Sequence, residues 1–132
     1  MKKVITFGVF DLLHYGHILL FKRCKEQGDY LIVAVHSDEY VRVNKPDCEL
    51  VFNEKQREEF VKTISYVDEV ILYDQIDETI KEVDFDVLVV GPDQTNPHFV
   101  EAIDYAKRNG KTVVELSRTP NISSSILRRE KC

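Results

Sequence analysis

Cysteine is scarce in this 132-residue chain, which carries only Cys24, Cys48 and Cys132. Three cysteines, odd in number, widely separated and in no metal-ligand spacing, are expected as free thiols. Cys24 falls on the apolar side of a helical stretch, where a small buried side chain is the expected role. Long apolar runs are also missing. "MKKVITFGVF" opens on two lysines, but glycine and then Asp11 interrupt its apolar stretch. Neither a signal peptide nor a membrane span is expected, and the protein is expected in the cytoplasm. Positive charge is in deficit, with 18 Lys and Arg against 23 Asp and Glu and a net charge of −5. That excludes a nonspecific nucleic-acid binder working through a general positive excess, and no basic and aromatic RNA-recognition pattern is present. There is no internal repeat, low-complexity tract or linker. With 43% apolar and 31% charged residues, what remains is one packed domain over 1–132, in which any phosphate ligand must meet a local site.

The order of elements is regular. "KVITFGV" reads as a strand, followed by a turn from Phe10 to Gly16 and a helix over His17 to Gln27 that Gly28 stops. "YLIVAVH", a near-continuous apolar run, suits a parallel strand covered on both faces. Ser37 to Asn53 reads as the longest loop, and Asn53 with Gln56 forms a capping-box start for the next helix. "EVILY" is a third strand, and "IDETIKEV" is a helix or a turn-rich connection. "DVLVV" is a fourth strand, ending at Gly91-Pro92-Asp93. Asn96-Pro97 starts a helix that Gly110 ends, "TVVEL" is a fifth strand, and "ISSSILRREK" closes as a helix with a hydroxyl-rich first turn. This alternation predicts an α/β fold: a single Rossmann-like domain with a mainly parallel five-stranded sheet and helices on both faces. Ligands of such sheets lie beyond the carboxyl ends of the strands. The loops after strands one, two, four and five carry His14 and His17, Lys45, Asp93, and Arg118 to Ser125.

His14 and His17, with Gly16 between them at a helix entrance, can bring two imidazoles and nearby backbone N–H groups to one anion, favoured by the helix dipole. The same spacing also fits metal ligation or a plain cap, although no third clustered histidine or cysteine completes a zinc site. His36 ends a strand facing the crevice, where acceptor-phosphate contact competes with capping or core-edge packing; His98, near a helix start, has the same alternatives. Ser123, Ser124 and Ser125 can offer hydroxyls and N–H groups to phosphate, or simply cap a helix.

"GVFDLLHYGH" resembles the G-x-F-D-x-x-H-x-G-H signature of the HxGH nucleotidyltransferase superfamily, and "RTPNISSS" resembles its second signature, R-T-x-x-I-S-[ST]-[ST], in the cytidylyltransferase branch. "GDYLIVAV", "SDEY" and "YVDEVI" extend the similarity over most of the chain, which is most like the bacterial glycerol-3-phosphate cytidylyltransferase family. The resemblance implies CTP, Mg²⁺ and a phosphorylated alcohol, joined by in-line attack at the α-phosphorus with release of pyrophosphate. It also implies a homodimer and products that feed wall, capsule or lipid-head-group polymers. His14, His17, Lys45 and Arg118 are implied as catalytic. Nucleotide contacts are implied for Gly8, Val9, Phe10, Asp11, His14, Gly16, His17, Gly91, Asp93, Arg118, Thr119, Ile122, Ser123, Ser124 and Ser125. The acceptor falls to His36, Lys45 and Arg57.

Asp11 can orient a histidine, hold Mg²⁺ through water, or cap backbone N–H groups. Val9 stands where the family often has threonine, "GPDQTNPHF" replaces a turn that commonly contains tryptophan, and Lys45 is the only lysine of the 38–53 loop. An adenylyltransferase of the same superfamily, using ATP, is the alternative enzyme. A catalytically weak nucleotide-binding regulatory domain is the alternative from another class.

Overall fold

The computed structural model describes residues 1–91 and 96–116. Within them the chain runs β1 (Lys3–Gly8), α1 (Tyr15–Lys25), β2 (Tyr30–His36), α2 (Asp38–Asn44), α3 (Glu54–Lys62), β3 (Glu69–Tyr73), α4 (Ile76–Thr79), β4 (Val87–Val90), α5 (Pro97–Arg108) and β5 (Thr112–Glu115). The strands form one sheet in the order β3-β2-β1-β4-β5, with every pairing parallel. The chain builds from β1 outward to β3, then returns to the other flank of β1 for β4 and β5. That reversal opens a crevice beyond the carboxyl ends of β1 and β4.

The apolar runs read from the sequence are apolar because both faces of the sheet are covered. Ile5, Phe7, Ile32, Ala34 and Leu88 face one core, closed by Ile76 and Ile80 around α4 and by Ala102 and Ala106 of α5. Val4, Leu31, Val33, Val35, Val87 and Val89 face the other, closed by Phe21 and Cys24 of α1 and Val61 of α3. This is the expected Rossmann-like arrangement. At the amino ends of the strands, carboxylates take up main-chain donors: Asp86 accepts from Lys3 N–H at 2.8 Å, Asp68 from Leu31 N–H at 2.8 Å, and Asp29 from Lys2 N–H at 3.0 Å.

The Asn53 and Gln56 capping box is present at α3, and Asn96 caps α5 by accepting from His98 N–H at 2.8 Å. Gly110, with φ of 71°, turns the chain after α5 in a left-handed conformation that suits glycine. The expected 37–53 loop instead begins with the short helix α2. Ser37 caps it, and α2 and α3 cap one another: Asp38 N–H donates to Glu54 Oε1 at 2.9 Å, and Glu54 N–H donates to Asp38 Oδ2 at 3.1 Å. The "IDETIKEV" segment contains one helical turn, α4.

Cys24 is a buried free thiol, its pKa pushed up to about 12 by burial. It is thus an unreactive packing group. The expectation of a free thiol at Cys48 is corrected, since that sulfur is disulfide-bonded. Cys132 lies outside the described residues. Among the described residues, no helix is long and apolar enough to cross a membrane.

Candidate active site

The turn between β1 and α1 is built by its two histidines. His14, in an extended conformation, is the N-cap of α1, and its Nδ1 accepts from Gly16 N–H at 3.0 Å. Three residues on, His17 Nδ1 accepts from His14 N–H at 3.3 Å, completing a capping box made of imidazoles. A nitrogen that accepts a hydrogen bond carries no proton, so in each neutral ring the hydrogen sits on Nε2. Burial lowers the pKa of His14 and favours its neutral form. The rings lie 4.1 Å apart between centroids at an interplanar angle of 33°, which places two N–H donors side by side at the positive end of a helix. His14 Nε2 is buried without a hydrogen-bond partner among the described residues. An unanswered buried donor is costly in a protein that does nothing with it. At a helix N-terminus, its natural partner is an anionic oxygen.

Beneath the histidines, Phe10 adopts φ of 53°, a left-handed conformation unusual for a bulky residue. Its ring folds back over Gly8 and meets His17 at 5.6 Å and Phe21 at 5.2 Å between centroids. A Cβ on Gly8 would stand 2.7 Å from Phe10 Cζ, so the glycine gives the ring its seat. Gly8→Ala is expected to lower stability by roughly 1–3 kcal/mol through overpacking and to reduce turnover by displacing the ring under His17. Urea denaturation and pyrophosphate release check this; unchanged values in both would show that the turn tolerates the methyl group.

Asp11 is 2% exposed and clamps the loop before α3, accepting from Val51 N–H at 2.7 Å and Phe52 N–H at 2.9 Å. Of its three sequence readings, this geometry is the backbone-capping one. Among the described residues there is no cluster of three metal-binding side chains. With both Asp11 oxygens occupied, these residues do not fit a protein-held Mg²⁺.

The acceptor contact expected of Arg57 is corrected. Its side chain is 0% exposed and donates to Phe52 O (3.1 Å), Val9 O (2.9 Å), His36 O (2.8 Å) and Asp38 Oδ1 (2.6 Å). It ties the β1 turn, the end of β2, α2 and the loop before α3 together from inside. Val9, 9% exposed as a residue, contributes a carbonyl to that clamp.

On the other side of Gly8 a cavity of about 360 Å³ opens at the carboxyl ends of β1, β2 and β3. Gly8, His36 and Tyr73 line it from the strand ends, Asn44 and Lys45 from the end of α2, and Gln75, Ile76, Asn96, His98 and Phe99 complete the lining. The expected pair His36 and Lys45 therefore meet here. His36 stacks on Tyr73 at 4.4 Å and 17°. Its Nδ1 faces Tyr73 O at 3.3 Å and its Nε2 faces Asn44 Nδ2 at 3.2 Å. Burial, aided by the charges of Lys45 and Arg57, lowers its pKa to about 4. With both ring nitrogens engaged, a neutral His36 shapes the wall and orients Asn44 in place of offering a proton to phosphate. The His98 ring pairs with Asp77 at 3.1 Å.

Gly16 lies within the capping turn, and Gly91 follows β4 beside β1. Asp93, Arg118, Thr119, Ile122, Ser123, Ser124 and Ser125 lie outside the described residues. Asn44, Tyr73 and Gln75 were not singled out by the sequence reading. The signal for Tyr73 and Gln75 was positional, because the carboxyl-end rule applies to the loop after β3 as much as to the others.

The sequence pattern of the family described as cytidylyltransferase-like matches residues 5–130. The glycerol-3-phosphate cytidylyltransferase of Staphylococcus aureus is 38% identical over 133 residues, covering 98% of this chain and 95% of the relative. An FAD synthase of Thermococcus kodakarensis is 45% identical over 95 residues, 70% of this chain and 63% of that protein. Among solved structures, the lipopolysaccharide core biosynthesis protein of Thermoplasma volcanium superposes with a TM-score of 0.74 at 32% identity, covering 90% of this chain and 97% of that one. The helix-mounted histidine donors and the polar cavity thus sit in a sequence that matches the family pattern over residues 5–130 and the Staphylococcus aureus relative over 98% of its length, and the chain belongs to the cytidylyltransferase-like family of nucleotidyltransferase enzymes.

Proposed function

We propose that the enzyme converts CTP and a phosphorylated polyol, with glycerol 3-phosphate the leading candidate, into a CDP-alcohol and pyrophosphate. The observation that carries this is the pair of neutral imidazole N–H donors at the α1 N-terminus, on the turn that leaves β1 at Gly8, the residue that also lines the cavity holding Lys45. The full-length similarity to a protein named glycerol-3-phosphate cytidylyltransferase supports the choice of substrates.

A phosphate oxygen of the acceptor attacks the α-phosphorus of the nucleotide, the bond from that phosphorus to the bridging oxygen breaks, and pyrophosphate departs with the electron pair. The attacking oxygen is already ionised, so the protein need not remove a proton. Its contribution is alignment and neutralisation of charge growing on the α-phosphoryl oxygens. His14 and His17 supply donors there, the helix terminus supplies a fixed positive potential, and Lys45 draws the acceptor phosphate into the cavity. The Mg²⁺ requirement belongs to the same proposal, with the ion entering on the triphosphate, since the described side chains build no cage for it. A homodimer, and a place upstream of wall, capsule or lipid-head-group polymers, complete the reading.

Crossing CTP, ATP, GTP and UTP with glycerol 3-phosphate, ribitol 5-phosphate, phosphocholine, phosphoethanolamine and sugar phosphates in a pyrophosphate-release assay tests it. The largest rate is expected with CTP and a polyol phosphate. Similarity to FAD synthase, whose named product contains an adenosine half, favours ATP as the second reading. A preference for ATP would replace CTP while leaving nucleotidyl transfer in place.

A further inference from the structure

A chain of amide contacts in the cavity fixes which hydrogen-bonding groups remain for a ligand. The Tyr73 carbonyl can only accept, so His36 Nδ1 carries the proton and Nε2 is an acceptor. One N–H of Asn44 Nδ2 points at His36 Nε2 at 3.2 Å, and the same nitrogen donates to Gln75 Oε1 at 3.3 Å. Both hydrogens of the Asn44 amide are then used. Asn44 is left with its carbonyl oxygen, an acceptor, and Gln75 with its Nε2, a donor of two hydrogens. Both residues line the cavity next to Lys45, and no acidic side chain lines it among the described residues.

We propose that Asn44 and Gln75 are the specificity-determining residues for the alcohol, their amide acceptor and donor pairing with substrate hydroxyls while Lys45 holds the phosphate. This rests on the acceptor reading above and narrows it. A hydroxyl both donates and accepts, so it answers an acceptor and a donor presented together. An ammonium or trimethylammonium head group can only be met by acceptors, carboxylates or open aromatic faces. In this cavity it would meet the Lys45 ammonium and the Gln75 NH₂ with no lining carboxylate among the described residues to offset them, leaving the Asn44 carbonyl oxygen and the Phe99 ring to answer it, while one face of Tyr73 is covered by His36. The acceptor class that fits is a polyhydroxylated phosphate ester.

The test compares glycerol 3-phosphate with 3-hydroxypropyl phosphate, which has the same length but lacks the C2 hydroxyl, and with phosphoethanolamine. It uses the full chain with CTP. The parent enzyme is expected to favour glycerol 3-phosphate over the deoxy ester by at least about 10²-fold in kcat/KM, because a site built for a hydroxyl is left with unpaired groups without it. Gln75→Glu keeps the oxygen that receives Asn44 and removes the donor. It is expected to cut that preference by about tenfold or more, through KM for the polyol ester, with KM for CTP nearly unchanged. Asn44→Ala is expected to act in the same direction.

Equal losses on both esters would assign these amides a structural role and overturn the proposal, as would a parent preference for phosphoethanolamine. If no phosphoalcohol gives turnover with CTP, the proposed reaction fails, and calorimetric titration of the parent and Gln75→Glu with the two esters still decides this inference. Tighter binding of glycerol 3-phosphate that the substitution abolishes supports it, and equal binding of the two esters overturns it.

Discussion

His14→Asn is expected to leave the protein folded and its α1 helix capped, yet to lower kcat by roughly 10²–10³-fold, the usual cost of removing one donor aimed at transition-state charge. The substitution separates two roles that the native imidazole combines. Asparagine is a good N-cap, so its oxygen can receive the Gly16 N–H that His14 Nδ1 receives at 3.0 Å. Its amide is shorter, however, and leaves nothing where His14 Nε2 now points. His14→Ala removes both functions, adding about 1 kcal/mol of destabilisation to the same kinetic loss. Urea denaturation monitored by circular dichroism reads the first role, and pyrophosphate release reads the second. Activity of the asparagine variant within a few-fold of the parent would reduce His14 to a helix cap.

The largest expected effect on stability belongs to a residue that touches no substrate. Arg57→Ala is expected to lower the unfolding free energy by about 3–5 kcal/mol, the range for breaking a buried, hydrogen-bonded ion pair. The side chain is fully buried and donates four hydrogen bonds, three to main-chain carbonyls and one to Asp38. Its removal strands those acceptors in a volume that water cannot easily refill. Arg57→Lys is expected to recover only a minority of the loss, since one ammonium cannot reproduce a planar fork reaching four oxygens in different directions. The check is the denaturation midpoint together with KM for the acceptor. A stable variant with a selectively raised acceptor KM would return Arg57 to the binding role that its sequence position first indicated.

These two residues also show what is legible in a sequence and what is not. The histidine pair was readable because its function is local: a cap, a glycine and a second imidazole one turn on lie within a few consecutive residues. The five strands were readable for a similar reason, since burial on both faces leaves near-continuous apolar runs such as Leu31 to Val35. The Asn53–Gln56 box and the Asn96-Pro97 start were equally local signals. Arg57 was not readable, because the carbonyls of Val9, His36 and Phe52 meet only after the fold has formed.

Helix α2 was hidden in what looked like loop for a related reason. It has one buried apolar residue, Val41, and its start is held by Ser37 and by reciprocal capping with Glu54, well over a helical turn away in sequence. Neutral amides such as Asn44 and Gln75 carry no motif at all. Only the convergence of the end of α2 and the loop after β3 on one cavity gives them meaning.

Phe10 has a thermodynamic consequence beyond its contacts. Holding a bulky residue at φ of 53° costs on the order of 1–3 kcal/mol, and the ligand-free protein bears that cost continuously. On the proposed function the turn is therefore already bent before the nucleotide binds, and rearranging it takes nothing away from binding. Since 1.4 kcal/mol is a tenfold change in Kd, strain of this size transferred from the binding step to the resting fold corresponds to roughly five- to a hundredfold in affinity. On the proposed function, nucleotide affinity is in part drawn from folding stability, and relaxing the turn is expected to trade the first for the second.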